Sequence, residues 1–422
     1  MSAASFEKES IPTRYAWTVV GLLFPVALLN YLDRQMISSM KSSVMQDITD
    51  IGREANWGYM LGQFKWVYAF LSPVGGYIAD RFSRRWTICG SLFVWSLITW
   101  LTGHANTYSE LLWTRTLMGV SEAFYIPAAL ALIADYHRGS TRSRAVGLHQ
   151  MGMYCGVILG GFGGYIAQSP DWGWRSAFQI TGLMGILYAF PLLWKLKDSS
   201  VSIPSGERPK AKSPISSLSE LLSNPSFLLM VFYFTLPALA GWVVRDWMPV
   251  ILQKSFNISQ GIAGVSATLY WQSAAILAAV GGGVWADRWM RRTERGRIYV
   301  SAIGMALIIP ALFGVGNSTG INSFALAIAS LVLFGIGWGF FDGNNMPILC
   351  QVVRPELRAT GYGLMNLVSI SCGGFADWGF GLMRDRGIPL NAIFAVFASV
   401  CCISLVLILL VRPRDPERQV GS

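Results

Sequence analysis

Long uncharged stretches dominate the hydrophobic pattern of the chain. A helix needs about 20 mostly apolar residues to cross a bilayer, and seven uncharged stretches have that size: 145–169, 176–194, 225–244, 258–286, 298–316, 321–341 and 390–411. Four others reach it when a few charges are admitted (15–40, 55–80, 108–136 and 356–383), and 86–105 brings the total to twelve. These stretches are too long for the strands of a membrane barrel, which span about ten residues. The pattern therefore predicts an all-α membrane protein with twelve transmembrane helices.

The composition agrees with a membrane protein. Hydrophobic residues make up 53% of the chain and charged residues only 13%, about half of the roughly 25% usual in soluble proteins. The six cysteines lie in apolar stretches without metal-ligand spacing, so we predict no metal site and no cofactor. No nucleophile–base pair is apparent either, so the chain is not predicted to be an enzyme; an enzyme or a receptor assembled across spans is the alternative from another class.

The basic residues predict the orientation in the membrane. Of the 33 Lys and Arg residues, only six fall between spans on the side opposite the termini: Lys41, Arg53, Arg175, Lys254, Arg384 and Arg386. Cytoplasmic loops are the ones enriched in Lys and Arg, so both termini are expected in the cytoplasm, with the chain in the cell (inner) membrane. The net charge of +10 then reflects anionic lipid headgroups and no nucleic acid. A monomer is expected.

A polar segment rich in Ser, Pro and Lys divides the chain. It predicts an N-terminal six-helix bundle over 1–194, a cytoplasmic linker over 195–224 with a short surface helix at 216–223, and a C-terminal six-helix bundle over 225–422. The halves repeat a motif at identical spacing: Gly76-x3-Asp80-Arg81-x2-Arg84-Arg85 follows the second span, and Gly283-x3-Asp287-Arg288-x2-Arg291-Arg292 follows the eighth. A duplicated six-helix unit is typical of secondary transporters, which bind substrate near the midplane between the repeats.

Twelve spans, a central linker and this duplicated loop together resemble the major facilitator superfamily over nearly the whole chain. The family pattern has Gly three residues after the Asp, where this chain has Ser83 and Met290. The resemblance implies that Asp80 and Asp287 bind helix N-termini and arginines when the transporter faces outward. The residues expected to gate the transporter are Gly76, Asp80, Arg81, Arg84, Arg85, Asp287, Arg288, Arg291 and Arg292.

Charges inside the predicted spans are the strongest functional candidates, because an unpaired ion in lipid costs at least about 2.5–3.5 kcal/mol. Asp33 and Arg34 lie in span one, and Arg115 and Glu122 lie two turns apart on one face of span four. Desolvation and a nearby guanidinium act in opposite directions on the protonation of a buried carboxyl, as a proton carrier requires. The alternative is a static ion-pair network that only holds helices together.

The short sequence motifs around these charges narrow the resemblance to two branches of the family. Asn30-Tyr31-Leu32-Asp33-Arg34 and Arg115-x3-Gly119-x2-Glu122-Ala123 resemble the anion:cation symporter branch, which contains hexuronate and galactonate carriers, and also the spinster-like lipid transporters. In both branches the matching acids are associated with proton coupling. The resemblance implies that Asp33 and Glu122 carry the proton and that Arg34 and Arg115 control it, with sodium as an open alternative ion.

Polar and aromatic residues at mid-depth suggest the substrate. Lys65 stands in an apolar part of span two and requires an anion, from the substrate or from a protein acid; Arg245 and Asp246 adjoin in span seven, where they neutralise each other or lie near the outer mouth. The predicted substrate-binding residues are Gln63, Lys65, Gln150, Trp271, Gln272, Asn344, Asn345 and Asn366. Packing is the competing interpretation for the tryptophan and the amides.

These observations predict a secondary active transporter that works by alternating access. Its expected reaction is proton-coupled symport of a small organic anion, a sugar acid such as a hexuronate or galactonate, because amides, cations and aromatics suit such a ligand. The alternative is a spinster-like, proton-linked lysolipid or sphingolipid transporter, whose cavity would be more apolar. The sequence leaves import and export open.

Overall fold

A computed structural model describes residues 13–137, 141–198, 214–354 and 357–413 of the chain. The regular structure of these residues is helical. Its first half comprises α1 (Thr13–Ser39), α2 (Lys41–Asp47), a 3-10 turn (Thr49–Ile51), α3 (Glu54–Arg81), α4 (Arg84–Thr102), α5 (Tyr108–Glu122), α6 (Tyr125–Tyr136), α7 (Arg142–Gly161), α8 (Gly163–Gln168) and α9 (Gly173–Lys195). Its second half comprises α10 (Pro214–Leu222), α11 (Pro225–Phe256), α12 (Gln260–Met290), α13 (Gly296–Ser318), α14 (Phe324–Val352), α15 (Arg358–Asp385) and α16 (Leu390–Leu410).

The twelve predicted spans correspond to these helices. Eight helical segments of the described chain are long and apolar enough to cross a membrane: α1, the pair α5–α6, α9, α11, α12, α13, α14 and α16. Helices α3, α4, α7 and α15 occupy the other four predicted spans. The fourth span is interrupted directly after Glu122, where α5 ends and α6 begins three residues later. Helix α10 covers the predicted surface helix, and residues 199–213 of the predicted linker lie outside the described residues.

Helix packing repeats between the two halves. In the first half α1 packs on α7, α3 on α5 and α4 on α9; in the second, α11 packs on α15, α12 on α14 and α13 on α16. Two further pairs join the halves in the same symmetric way, α3 with α15 and α7 with α12. The prediction of two pseudo-symmetric six-helix bundles is confirmed. The exact boundaries at 194 and 225 stay predictions.

Among the described residues, the buried core joins the two halves toward one end of the helices. We call the side where α1 begins the terminal side and the opposite side the distal side. One buried cluster runs through the second half and continues into the distal ends of the first, including Met36, Trp57, Leu61, Trp247 and Phe380. A separate cluster fills the terminal part of the first half, with Leu23, Leu92 and Leu132. The core is therefore continuous on the distal side, and the conformation is closed there.

Candidate functional site

Two crossed ion pairs join α1 to α5. Arg34 donates from Nε to Glu122 Oε2 at 2.5 Å, and Arg115 Nη2 lies 3.7 Å from Asp33 Oδ1. Thr99 of α4 donates its hydroxyl to Asp33 Oδ2 at 2.5 Å. Neighbouring residues on α1 thus reach partners two turns apart on α5, which brings the four predicted proton-coupling residues together. Asp33 and Glu122 are 2% and 0% exposed, so water does not compete for these pairs.

The crossed pairs leave hydrogen-bonding capacity unused. Arg34 Nη2, Arg115 Nε and Glu122 Oε1 are buried without a hydrogen-bond partner among the described residues. The Arg34 guanidinium lies 4.6 Å from the ring centre of Tyr68 and 5.0 Å from that of Phe64, so aromatic faces supply part of its stabilisation. Buried donors without partners are costly, and a ligand anion would satisfy them.

An open cavity lies beside these donors; the space free of atoms within it, which includes open solvent, is about 390 Å³. Its lining combines four cationic side chains, four apolar ones and one acid: Arg34, Ile37, Leu61, Phe64, Lys65, Arg115, Trp242, Arg245 and Asp246. Within the described parts of the chain, Arg245 Nη2 is also buried without a hydrogen-bond partner, and its guanidinium lies 5.1 Å from the ring centre of Tyr31 and 5.4 Å from that of Trp242. The cavity is thus cationic on some walls and apolar on others.

Lys65 is bound by two protein acids. Its ammonium donates to Asp246 of α11 and to Asp377 of α15, and it lies 4.3 Å from the ring centre of Trp242. The sequence left two sources of an anion for Lys65, the substrate and a protein acid. In this conformation protein carboxylates bind the Lys65 ammonium. Arg245 and Asp246 therefore do not simply neutralise each other: the carboxylate turns to Lys65, while the guanidinium lines the cavity.

The other predicted substrate-binding residues lie away from this lining. Trp271 packs against Phe334 and Trp338 inside the second half, and Asn344 donates its amide to the Phe340 carbonyl one turn earlier at 2.9 Å, which favours the packing interpretation for both. Asn345, the next residue of α14, is buried close to Asp342. The remaining predicted positions, outside the cavity lining, are Gln63, Gln150, Gln272 and Asn366.

Of the predicted gating residues in the first repeat, Arg84 and Arg85 have described side chains. Gly76 and the side chains of Asp80 and Arg81 lie outside the described parts of the structure. Arg84 pairs with Asp135 and also donates to the Ala131 carbonyl at 3.1 Å, and Arg85 Nε donates to the Leu193 carbonyl at 2.9 Å. Both arginines therefore bind groups within the first half.

Ser83, where the family pattern has glycine, begins α4. Its hydroxyl accepts from the Trp86 backbone N–H at 3.2 Å, and it donates to the Asp198 carboxylate. The departure from the family pattern thus supplies a helix cap, which typically stabilises a helix by about 1 kcal/mol.

In the second repeat, Asp287 accepts from Arg297 at 3.2 Å, one residue into α13. This places a carboxylate near a helix N-terminus, where the helix dipole favours anions. The other three residues of the repeat are exposed: Arg288, Arg291 and Arg292.

Residues at the distal rim were not singled out by sequence reasoning. Glu54, at the start of α3, accepts from Lys41 and, at 3.0 Å, from Lys254 of α11. Asp385, at the end of α15, accepts from the backbone N–H groups of Glu54 and Ala55 at 2.9 Å each. Lys41 is 1% exposed and lies 4.1 Å from the ring centre of Trp247. The position of Lys41 directly after a predicted span did not indicate that it is buried, because its contact with a tryptophan of the other half depends on tertiary packing.

Known proteins resemble the chain over most of its length. It is 29% identical over 384 residues to protein spinster homolog 1 of Xenopus tropicalis, covering 85% of this chain and 71% of that protein. A crystal structure of a bacterial homolog to the human lysosomal transporter Spinster, inward-facing and unoccupied, superposes with a TM-score of 0.74 at 21% identity, covering 94% of this chain and 95% of that one. A D-xylose–proton symporter superposes with a TM-score of 0.73 at 16% identity, covering 97% and 100%.

The family follows from the matched model. The model described as Major Facilitator Superfamily matches residues 23–376, from within α1 to within α15, and so includes the crossed ion pairs, Lys65 and both loop motifs. The resemblance inferred from the repeated loop and the intramembrane charges is therefore confirmed: the chain is an integral, multi-pass membrane transporter that belongs to the Major Facilitator Superfamily.

Proposed function

We propose that the chain is a spinster-like, proton-linked transporter of an anionic lysolipid. The observation that carries the proposal is the cavity, in which guanidinium nitrogens of Arg34, Arg115 and Arg245 that lack a partner among the described residues adjoin apolar walls. An anionic headgroup suits the guanidinium groups, and an acyl chain suits the apolar side chains. The similarity to spinster homologs supports the same choice. The sugar acid has less support, because the six amides expected to bind it all lie outside the cavity lining.

The equal number of buried cations and acids around the cavity suggests how proton uptake is linked to substrate binding. Around the cavity, Arg34, Arg115, Arg245 and Lys65 are matched in number by four acids: Asp33, Glu122, Asp246 and Asp377. An entering anion adds one negative charge to a site from which water is largely excluded. A proton taken up by one of the carboxyls restores the balance, so anion and proton favour the same conformational step. In this proposal Asp33 and Glu122 accept it, with a proton in preference to sodium as the coupling ion.

The terminal side is assigned to the cytoplasm from the bias of Lys and Arg toward that side. In the conformation described, the site is then sealed from the outside by the distal contacts. The proposal includes the cell (inner) membrane as its location and a monomer as the working unit.

Binding measurements with purified protein test the substrate class. The probes are lysophosphatidylglycerol, a neutral monoacylglycerol of the same chain length, and galactonate. We expect lysophosphatidylglycerol to raise the apparent melting temperature most, because a ligand that binds the native state stabilises it. A larger rise in melting temperature with galactonate would contradict this proposal and favour sugar-acid transport.

An arginine variant tests the cavity itself. Arg245→Gln should weaken lysophosphatidylglycerol binding by about 10- to 150-fold, since a hydrogen bond to a charged group contributes about 1.5–3 kcal/mol. Binding of monoacylglycerol should stay unchanged. Arg386→Gln is the matched control, because Arg386 is exposed at the distal end of α15. Equal losses in the two variants, or equal losses for both lipids, would remove Arg245 from the headgroup site.

A further inference from the structure

Two helices that begin at the distal rim are bound there by residues of the opposite half. At the start of α3 in the first half, the backbone N–H groups of Glu54 and Ala55 donate to Asp385, the last residue of α15 in the second half, at 2.9 Å each. At the start of α12 in the second half, the backbone N–H of Gly261 donates to Oε1 of Gln168, the last residue of α8 in the first half, at 3.3 Å. Each half therefore caps a helix of the other.

A glycine one turn before each capping residue lets the helices approach. A Cβ atom added to Gly381 would lie 2.4 Å from the Glu54 carbonyl oxygen, and one added to Gly164 would lie 2.4 Å from the Gln260 carbonyl oxygen. Real Cβ atoms essentially never come so close to another heavy atom. Each glycine comes four residues before the capping residue of its helix. The glycine and the cap thus recur at the same spacing in both halves, as expected for a feature of the duplicated fold.

The start of α3 depends on the other half more than the start of α12 does. The N-cap residue of α3 is Arg53, whose side chain makes no capping hydrogen bond to the part of the chain that the structure describes. The N-cap residue of α12 is Ser259, whose hydroxyl accepts from the Ile262 backbone N–H at 3.2 Å. The first N–H groups of a helix have no partner within it. Separation of the halves therefore leaves those of α3 to water, whereas α12 keeps one cap of its own.

The charge of Asp385 suits its position. Its carboxylate faces the positive end of the α3 dipole, where anions are favoured. The neighbouring Glu54 carboxylate is bound by Lys41 of α2 and by Lys254 of α11, which reduces its repulsion of Asp385. Lys254 also belongs to the second half, so the first turn of α3 is bound from that half by two side chains.

From this geometry we propose that closure of the distal side is stabilised by a pair of helix caps exchanged between the halves, with Asp385 capping α3 and Gln168 capping α12. Both caps form only while the halves meet at the distal rim. Opening breaks them, and water then binds the released N–H groups. The proposal uses the proposed function only for the alternation between two conformations. It is tested without substrate, so a wrong substrate class would leave the result unchanged.

Distance measurements between the halves provide the test. Spin labels at Asp50→Cys and Ile321→Cys report the distal opening, since Asp50 lies in the exposed distal turn and Ile321 is 65% exposed on the distal side of the second half. The native cysteines are replaced in the full chain used for labelling. The ratio of distally open to distally closed protein, the open-to-closed ratio, is measured without substrate.

Removing the caps should favour the open conformation. Asp385→Ala should raise the open-to-closed ratio by about 2- to 30-fold, which corresponds to the loss of one helix cap, about 0.5–2 kcal/mol. Gln168→Ala should raise it by less, because one neutral hydrogen bond is lost and α12 keeps Ser259. The matched control is Asp171→Ala, which removes an exposed acid from the distal side of the first half; it should leave the ratio unchanged.

A cap supplied within α3 separates capping from a merely structural contact. Serine is a favourable N-cap residue, so Arg53→Ser gives α3 a cap of its own in both conformations. Asp385→Ala should then raise the ratio less in the Arg53→Ser background than in the wild type. An unchanged ratio in Asp385→Ala, or an equal rise in both backgrounds, would overturn the proposal. An unchanged ratio in Gln168→Ala would overturn its reciprocal part.

Discussion

The closely packed helices α3 and α15 form a seam between the two halves. A single methyl group added in this seam should shift the transporter toward a conformation that is open on the distal side. In Gly58→Ala the new Cβ would lie 2.3 Å from the Asp377 carbonyl oxygen and 2.9 Å from its carbonyl carbon. Real Cβ atoms are essentially never closer than 3.0 Å to another heavy atom. The obstructing atoms belong to backbone, so a side-chain rotation cannot relieve the clash and the two helices must part.

The size of the shift follows from the cost of overpacking, which is about 1–3 kcal/mol for a methylene-sized insertion. Because the contact exists only in the closed seam, this cost falls on one of the two conformations. It corresponds to an increase of about 5- to 150-fold in the open-to-closed ratio. The gain in helix propensity from Gly to Ala, about 1 kcal/mol, applies to α3 in both conformations and cancels.

Spin-label distances between Asp50→Cys and Ile321→Cys measure this ratio directly. The matched control is Gly379→Ala on α15, where an added Cβ meets nothing within 4 Å; it should leave the ratio unchanged. A Gly58→Ala protein that stays as closed as the wild type would refute the reasoning, because it would mean that the seam does not set the conformational balance.

Two further predictions concern charged groups. Glu122→Gln should abolish uphill uptake of lysophosphatidylglycerol into proteoliposomes and leave counterflow intact, because it removes a proton acceptor but keeps the shape of the site; accumulation against a gradient would show that Glu122 is not the coupling residue. At the distal rim, burial lowers the pKa of Lys41 to about 8, although the Glu54 carboxylate acts in the opposite direction. If Lys41 regains its ordinary pKa of 10.5 when the rim opens, closing releases a proton between these values. The closed-to-open ratio should then rise about tenfold from about pH 7 to about pH 9, an increase that Lys41→Met should remove; a response that persists in this variant would have another origin.

The fold could be predicted from sequence because its main constraint is local. Each span must satisfy its own backbone hydrogen bonds in lipid, so the length of an apolar stretch predicts a helix without knowledge of its neighbours. The same reasoning singled out Asp33 and Glu122, since a carboxyl in an apolar stretch can be recognised from the sequence alone. The seven-residue spacing of Arg115 and Glu122 predicted a shared face, and the crossed pairs with α1 agree with that spacing.

The partners of Lys65 could not be predicted in the same way. Asp246 and Asp377 are more than 180 residues away in sequence, and no periodicity relates a helix of one half to helices of the other. The role of the amides stays a prediction for a related reason: a polar residue in a span forms a hydrogen bond on its own helix, as Asn344 does, as readily as it binds a ligand. Sequence shows which groups are costly to bury, and tertiary packing decides which groups relieve that cost.

The two buried charge clusters sense different events. Arg34, Glu122, Asp33 and Arg115 all belong to the first half, so a rigid rotation of the halves leaves their pairing intact. Their protonation then depends on what enters the adjoining cavity. Lys65 and Asp377 belong to different halves, so their pairing depends on the seam. The first cluster can then respond to the substrate anion, whereas the second stabilises closure. Loss of the Lys65–Asp377 pair in Asp377→Asn should therefore change the open-to-closed ratio measured by spin-label distances, and an unchanged ratio would show that this pair does not hold the two halves together.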